Sequence, residues 1–458
     1  MGNYTKYRAS DINWLGRVPQ HWKETKLKYV GFLYSGLTGK KGEDFSAIPD
    51  LSTRPFIPFV NIVNNENIDI SNLQYVRLSE AEEQNDVKRG DLFFMMSSEN
   101  FEDIGKTAVL VDDMDEVYLN SFCKGFRIID DNVDPLFLNY LLRCHSYRKR
   151  LMIEANGFTR INLKTGKVND LKICIPPTTD EQIQIANYLQ HKTIQLDKLV
   201  SDKQNLISLL REERVAIINQ AITKGINPTA PMKDSGISWL GEIPEHWTVG
   251  KLKYLCELIT DGSHYSPITL EVGKRYISVK DVKDNTVDFS DCKYISAHDF
   301  AQLERNGCRP KKDDILLTKD GTIGRAAIVS DDNDFVILSS LAIIRPFKEK
   351  VHFEYLKYFL LSSINIDQML SSLQGSALTR ITLTIINNLL TVIPPIDEQL
   401  AILSYIKIKE QQLDKLFIRE EREIELLKEY KVALISEVVT GKVDVRNEVL
   451  TELTELAL

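Results

Sequence analysis

Few residues of this chain stand in arrangements that do chemistry. Gly105-Lys106-Thr107 has the form of the end of a phosphate-binding loop, in which backbone amides and a lysine cradle phosphates, but the glycine needed five positions earlier is Asn100. A turn between strands is the better reading. Asp261-Gly262-Ser263-His264 sets an acid, a hydroxyl and an imidazole close together and suggests catalysis, yet no second constellation accompanies it, which favours a structural or ligand-facing loop. His21 and His246 each stand beside a tryptophan with no acidic partner at ligand spacing, so they read as core or surface histidines. The six cysteines form no C-x-x-C pair, which indicates neither a zinc site nor a redox dithiol and fits reduced thiols of the cytoplasm. G-x-G-x-x-G and H-E-x-x-H are absent, and the two Pro-Pro pairs are followed by Thr178 and Ile396 rather than by the aromatic residue of an amino-methyltransferase motif. The expectation is a binding protein, not an enzyme, with no metal.

What must position any binding residues is a duplicated frame. Ile-Pro-Pro followed by Asp-Glu-Gln occurs at residues 175–182 and again at 393–399, with Thr179 as an extra residue in the first copy. Beyond it Leu196-Asp197-Lys198-Leu199 recurs as Leu413-Asp414-Lys415-Leu416, Leu209-Leu210 as Leu426-Leu427 and Val215-Ala216 as Val432-Ala433. The proline pair precedes a helix without entering it, and Thr179 with Gln182 has the spacing of a capping box, so a helix is expected from about Asp180. Leu189, Leu196, Leu210 and Ile217 fall on a seven-residue repeat, flanked by Val200, Ile207 and Ala221; Ile406, Leu413, Leu427 and Leu434 repeat it, flanked by Phe417, Ile424 and Val438. Apolar rows at alternating steps of three and four make a coiled-coil seam. Neither rod buries its seam alone, so the two are expected to pack on each other, the alternative being that each lies on its own domain. Lys203 and Glu420 interrupt the two seams at the same place, and antiparallel rods would bring these opposite charges together at the crossing.

Trp14-Leu15-Gly16 to His21-Trp22 returns as Trp239-Leu240-Gly241 to His246-Trp247, and these copies hold all four tryptophans. They read as packed anchors against the end of the preceding long helix. Between anchor and helix lie two versions of a segment rich in short β-branched and aromatic runs, such as residues 56–63, 276–279 and 334–344, with a helix near the end at 135–143 and at 353–361. Lys88-Arg89-Gly90-Asp91 matches Lys311-Lys312-Asp313-Asp314, and Thr159-Arg160-Ile161 matches Thr379-Arg380-Ile381, whereas residues 36–54 have no visible counterpart at 261–267. A repeated frame with different loops is one scaffold presenting two recognition surfaces.

Length and charge fit this organisation. A chain of 458 residues suggests two or three domains. The net charge of −8 is a sum over unlike regions: residues 143–172 hold eight basic and two acidic residues, whereas 397–429 hold nine acidic and six basic. A locally basic surface on an acidic scaffold is compatible with DNA, because phosphate contacts are local. The first thirty residues are charged and aromatic and no run approaches the ~18 apolar residues of a membrane span, so a cytoplasmic protein without membrane contact is expected.

These repeated blocks resemble, over nearly the whole chain, the specificity subunit of type I restriction-modification systems. The carrying motifs are the Trp-Leu-Gly to His-Trp blocks at Trp14 and Trp239, Ile-Pro-Pro with Asp-Glu-Gln, and the heptad helices ending in Thr223-Lys224-Gly225 and Thr440-Gly441-Lys442. The second variable segment also resembles a common target-recognition type in Asp261-Gly262-Ser263-His264, in Lys319-Asp320-Gly321-Thr322-Ile323-Gly324 and in Gly375-Ser376; the first departs from it, with Ser98-Glu99-Asn100 at the corresponding turn. The resemblance implies an α+β fold of two mostly-β target-recognition domains, each followed by a long helix, with the helices forming an antiparallel coiled coil in a pseudo-two-fold tandem repeat. The expected divisions are a first recognition domain at 1–178, a long helix at 179–225, a linker at 226–238, a second recognition domain at 239–394, a second long helix at 395–442 and a weakly ordered tail at 443–458.

In that family each domain reads one half of a split, asymmetric DNA target, the coiled coil sets the spacer, and the subunit has no cofactor of its own. S-adenosylmethionine comes with two methyltransferase (modification) subunits, and ATP and magnesium with restriction subunits where these are present. Arg, Lys, Asn and Gln are the usual readers of base edges, with Lys and Arg also on phosphates. The candidate DNA contacts are Lys40, Lys41, Arg54, Asn64 and Arg160 in the first domain and His264, Lys280, Lys319, Thr322 and Arg380 in the second. The alternatives are a specificity subunit serving a methyltransferase with no restriction partner, and a nuclease or methyltransferase in its own right.

Overall fold

A computed structural model describes residues 2–50, 52–79, 82–283, 286–330, 334–371 and 380–448. The two Ile-Pro-Pro sites open the helices Thr179–Lys224 and Ile396–Val439. The expected capping box does not form: Gln182 is turned away from the helix end and into the neighbouring domain, and Thr179 Oγ1 donates to the Asp131 carbonyl. The chain divides into two compact units, residues 1–203 with 422–458, and residues 204–421. Each unit therefore holds one recognition domain, the first part of its own long helix and the last part of the other.

Within each unit the two helix segments run antiparallel. In the first, Lys431 donates to Asp197 at 2.7 Å while Lys203 pairs with Glu423, so numbering rises on one helix as it falls on the other. In the second, Arg214 donates to Glu410 at 2.7 Å and to Asp414 at 3.2 Å, and Ala221 and Ile222 share a core with Ile402, Leu403 and Ile406. Asp197 and Asp414 are the repeated aspartates of the Leu-Asp-Lys-Leu blocks, and each meets a basic residue on the opposing helix. Of the seam residues, Leu189, Leu210, Ile406, Leu413 and Leu434 are buried and Leu196, Ile217 and Leu427 half-buried. Each fully buried Leu or Ile contributes about 1.5–3 kcal/mol, and this stripe stabilises the paired segments. Of the two charges that interrupt the seams, Lys203 pairs with Glu423, and Glu420 is buried next to Arg419.

The first domain is built on an antiparallel sheet of Gly31–Ser35, Cys123–Ile128, Leu92–Met95 and Thr107–Val109, beside a second sheet centred on Thr53–Ile57 and Gln74–Arg77. The second repeats the first of these sheets with Cys256–Asp261, Leu341–Pro346, Ile315–Thr318 and Ala326–Ile328. Helices Pro135–Arg143 and Phe353–Leu361 lie where the sequence pattern sets them. The run 56–63 is not one strand: the chain leaves Thr53–Ile57 at Pro58 and forms the helix Phe59–Asn64, which the buried Asn61 ties to the backbone of Asp69 and Asn72.

Asp-Glu-Gln is the joint between domain and helix. Glu181 accepts from Trp22 Nε1 at 3.1 Å and lies 2.9 Å from His21 Nε2; Glu398 does the same for Trp247 at 2.9 Å and His246 at 2.7 Å. The acidic partners missing near the histidines in sequence thus come from the helix starts. Gln182 bonds Asp134 N, Asn132 O and Pro176 O, each at 2.9 Å; Gln399 bonds His352 N, Lys350 O and Pro394 O at 2.8, 3.2 and 2.8 Å.

The tryptophan anchors also meet the helix ends. Gly225 has φ +78° and a Cβ there would sit 3.2 Å from the Trp247 ring; Gly441 has φ +71° and a Cβ would lie 2.4 Å from Pro19 and 3.2 Å from Trp22. Trp22 therefore packs at the end of the second long helix. The start of the expected loose tail is packed: Val445 is buried, and Asp444 exchanges backbone hydrogen bonds with Gly2 at 3.1 and 2.8 Å. The stretch read as a linker contains the strand Met232–Asp234, which pairs with Glu242–Pro244 as Tyr7–Ala9 pairs with Arg17–Pro19.

Candidate nucleic-acid interface

Both domains hold the base of their loops with one device. Asp91 is buried and receives a two-pronged hydrogen bond from Arg127 at 3.0 and 2.7 Å; Asp314, fully buried, receives the same from Arg345, both at 2.7 Å. The carboxylate contact pushes both guanidinium pKa values upward. Close to the loops, Gly36 and Gly262 permit the chain to press on facing carbonyls: Leu37 N donates to Leu119 O at 2.7 Å and Ser263 N to Ile337 O at 2.9 Å. The loops that showed no counterpart in sequence therefore leave the sheet at the same point.

Beyond that base the chemistry differs. In the first domain the Arg160 guanidinium stacks 4.6 Å from the Phe122 ring and lies 3.6 Å from Glu99, beside a cavity whose lining includes Phe59, Met95, Ser98 and Asn100. Phe59, Phe101, Phe122 and Phe158 are all exposed. In the second domain Asp261 is 3.0 Å from Lys319 Nζ and 3.1 Å from His264 Nε2, while Arg380 Nε lies 3.2 Å from Asp320. Ser263 is no nucleophile in this setting, because its hydroxyl donates to the Tyr265 carbonyl at 2.6 Å and accepts from the Tyr265 amide.

The ten candidate contacts fall into three groups. Lys41, Asn64 and Thr322 are exposed, and so is His264, which also meets Asp261. Arg54 is half-buried and paired with Glu116 at 2.7 Å, and Lys280 is exposed and bonded to the Asp291 carbonyl at 3.3 Å; with Arg160 and Arg380 they are partnered yet reachable. Lys40 and Lys319 correct the expectation: the Lys40 side chain is turned inward against Glu82 and the Lys319 ammonium is buried on Asp261, so neither presents a charge at the surface. The match of Thr159-Arg160-Ile161 to Thr379-Arg380-Ile381 is also out of register. Leu163 N bonds Met96 O and Ile381 N bonds Lys319 O at corresponding strand ends, which aligns Arg380 with Asn162. Gly375, Ser376 and Thr379 lie outside the described residues.

These exposed phenylalanines were not found from sequence, because Phe59 and Phe101 open short helices and Phe122 and Phe158 stand in separate turns, far apart along the chain. The one available signal was Gly157-Phe158 in the place that Gly375-Ser376 takes in the second copy. Gly105-Lys106-Thr107 is a turn, with Gly105 at φ +71° and Lys106 on Asp103 at 2.6 Å. All six cysteines are buried and unpaired, and burial pushes the Cys144 thiol up to about 11 and those of Cys174 and Cys256 to about 12. Among the described residues no group of three or more His, Cys, Asp or Glu is placed to hold a metal, and no helix is long and apolar enough to cross a membrane.

The family model "Type I restriction modification DNA specificity domain" matches residues 19–208 and 244–428. The chain is similar to the type I restriction enzyme MjaVIII specificity subunit of Methanocaldococcus jannaschii, 23% identical over 449 residues that cover 94% of this chain and 95% of that one. It is also similar to the EcoKI specificity subunit of Escherichia coli, 22% identical over 309 residues covering 66% and 62%. The fold is shared with the HsdS subunit from Thermoanaerobacter tengcongensis (TM-score 0.58, 16% identity, 93% of this chain and 98% of that one). It is shared also with a chain from a structure of type I R-M complex assembly and conformational transition (TM-score 0.68, 15% identity, 93% and 99%). With both halves of the duplicated frame matched, the chain belongs to the type I restriction-modification specificity family and is a non-catalytic DNA-recognition subunit.

Proposed function

We propose that each recognition domain reads one half of a bipartite, asymmetric duplex target, and that the paired long helices set the spacer and dock two methyltransferase subunits. The observation that carries this reading is the contrast within the duplication. The Asp–Arg pair, the Gln clamp and the Trp–Glu anchor recur in both copies, while the loop ends differ in chemical type, as two readers of different sequences require. Arg54, Asn64, Arg160, His264 and Arg380 reach base edges, and Lys41, Lys280 and Thr322 phosphates. Lys40 and Lys319 act from behind, and Lys319 fixes the Asp261 carboxylate that orients His264.

Docking of two like partners is supported by the helices' outer faces. Leu199, Leu209 and Val215 are exposed, and so are their repeats Leu416, Leu426 and Val432. S-adenosylmethionine enters with the methyltransferase subunits, and ATP and magnesium with restriction subunits in a system that also cleaves, the whole working on cytoplasmic DNA. Two sites held on a stiff element bind together only where their separation matches the duplex. Inserting one turn, about four residues, into both long helices at equivalent positions is therefore expected to lengthen the spacer of the methylated motif and leave both half-sites unchanged, as read by methylome sequencing of cells carrying the chain with its methyltransferase. An unchanged spacer rejects the helices as its determinant.

A further inference from the structure

The hairpin at residues 156–162 of the first domain holds an aromatic ring out in water. Asn156 and Asn162 exchange backbone hydrogen bonds at 3.0 and 2.9 Å and close the hairpin, and its second strand, Ile161–Asn162, pairs antiparallel with Ser97–Ser98. Gly157 turns its tip with φ +145°, where a Cβ would lie 2.0 Å from the Arg160 carbonyl. The residue this turn delivers is Phe158, 106% exposed. A single exposed apolar side chain is ordinary on a protein surface, and what marks this one is that it stands wholly in water on a backbone constrained by the hairpin and by Gly157.

The surroundings select that partner. Lys149, Arg150, Lys164 and Lys167 are exposed on the segments that flank the hairpin in sequence, and Arg160 lies two residues beyond the ring; against these five cations stand Glu154, shared by Arg150 and Lys167, and Glu99 beside Arg160, which leaves a basic excess. This is a setting for a polyanion. A phenylalanine has no hydrogen-bonding group with which to read a base edge, so against DNA it packs on a thymine methyl, stacks on a base or wedges between two, and of these only the wedge opens a step.

We propose that Phe158 is the stacking residue of the first recognition domain: its ring enters the base stack of the first half-site and opens one step, while Arg160, held on Phe122, reads the flanking base pair. The proposal rests on the reading that this domain recognises a half-site, and it makes part of that recognition depend on how readily the step deforms.

The test uses the full chain assembled with its methyltransferase subunits and a duplex carrying the methylated target mapped in cells. Phe158→Ala lowers affinity for that duplex by about 10-fold, in line with loss of one base–aromatic stack, while Phe158→Trp retains it. A single mismatch at the opened step, found by scanning the first half-site, restores binding by Phe158→Ala, because a weakened step no longer needs the wedge. Mismatches in the second half-site give no rescue. Because the ring touches little of its own chain, thermal unfolding of the variants matches wild type. Undiminished binding by Phe158→Ala overturns the proposal, as does failure of every first-half mismatch to rescue. So does loss of the methyltransferase subunits from the Phe158→Ala complex, which assigns the tip to a protein contact. Failure of the wild-type complex to bind the mapped target rejects the underlying half-site reading instead.

Discussion

The two recognition domains agree where they hold and differ where they read. At the sheet the second copy repeats the strand order of the first, down to the aspartate that grips an arginine from the same sheet. At the tips the first domain offers phenylalanines and a stacked guanidinium, whereas the second offers Asp261, His264, Lys319, Asp320 and Arg380 in ionic contact. Even at the shared strand end the partners change: Lys124 reaches Ser35 at 3.0 Å in the first domain, and Lys319 reaches Asp261 at 3.0 Å in the second. The duplication is thus an internal control. Residues kept in both copies carry the frame, and residues changed between them are free to set specificity.

The strongest challenge to that division is to break the shared frame on one side at a time. Asp91→Ala and Asp314→Ala each leave an arginine with no carboxylate beside the sheet, at a cost of about 3–5 kcal/mol. The two losses, read from urea unfolding of the full chain, should both fall in this range, with Asp91→Ala the larger by about 1 kcal/mol because Asp91 also accepts from Tyr34 at 2.7 Å. If only one variant is affected, the pair is a feature of one domain and the control fails. Gln182→Ala and Gln399→Ala come next. Each strips three hydrogen bonds from buried or half-buried backbone groups, which costs about 2–3 kcal/mol, equally in the two. In both variants amide exchange should rise first at Asp134 or at His352, whose N–H groups lose their acceptor.

Much of this frame was legible in the sequence, because repeats and heptads are local patterns that a single chain displays twice. The long helices, their seam and the helices at 135–143 and 353–361 follow from periodicity and from the Pro-Pro starts. The roles of Glu181 and Gln182 did not follow. Both sit at a helix start where capping is the economical reading, and their true partners lie far away in sequence. The recognition surface was legible only as residue types. Lys319 looks like any loop lysine until the fold buries it against Asp261, and Phe158 looks like a core aromatic until Gly157 turns it outward. Side-chain direction at loop ends is set by long-range pairing, which spacing does not encode.

The smallest effect comes from the turn before the paired aspartate, and it tests how far the likeness of the domains extends. Gly90 in the first domain and Asp313 in the second occupy it with φ +86° and +69°, and their amides donate to Leu110 O at 2.8 Å and Val329 O at 3.0 Å. The left-handed conformation costs an ordinary residue about 1–2 kcal/mol, and aspartate somewhat less, so Asp313→Gly relieves strain. Against that stand the greater freedom of glycine in the unfolded chain, about 0.4–1 kcal/mol, and the loss of an exposed contact from Lys348, about 0.5 kcal/mol or less. The terms nearly cancel, and Asp313→Gly should change stability by less than about 0.5 kcal/mol. Gly90→Asp has no such balance: it takes on the strain, gains no lysine, and sets a Cβ 3.3 Å from Pro135 Cγ, for a loss of about 1–2 kcal/mol. A large loss in Asp313→Gly, measured by thermal unfolding beside Gly90→Asp, means that the Lys348 contact holds the second turn. The two domains then part company already at the base of their loops rather than at the tips.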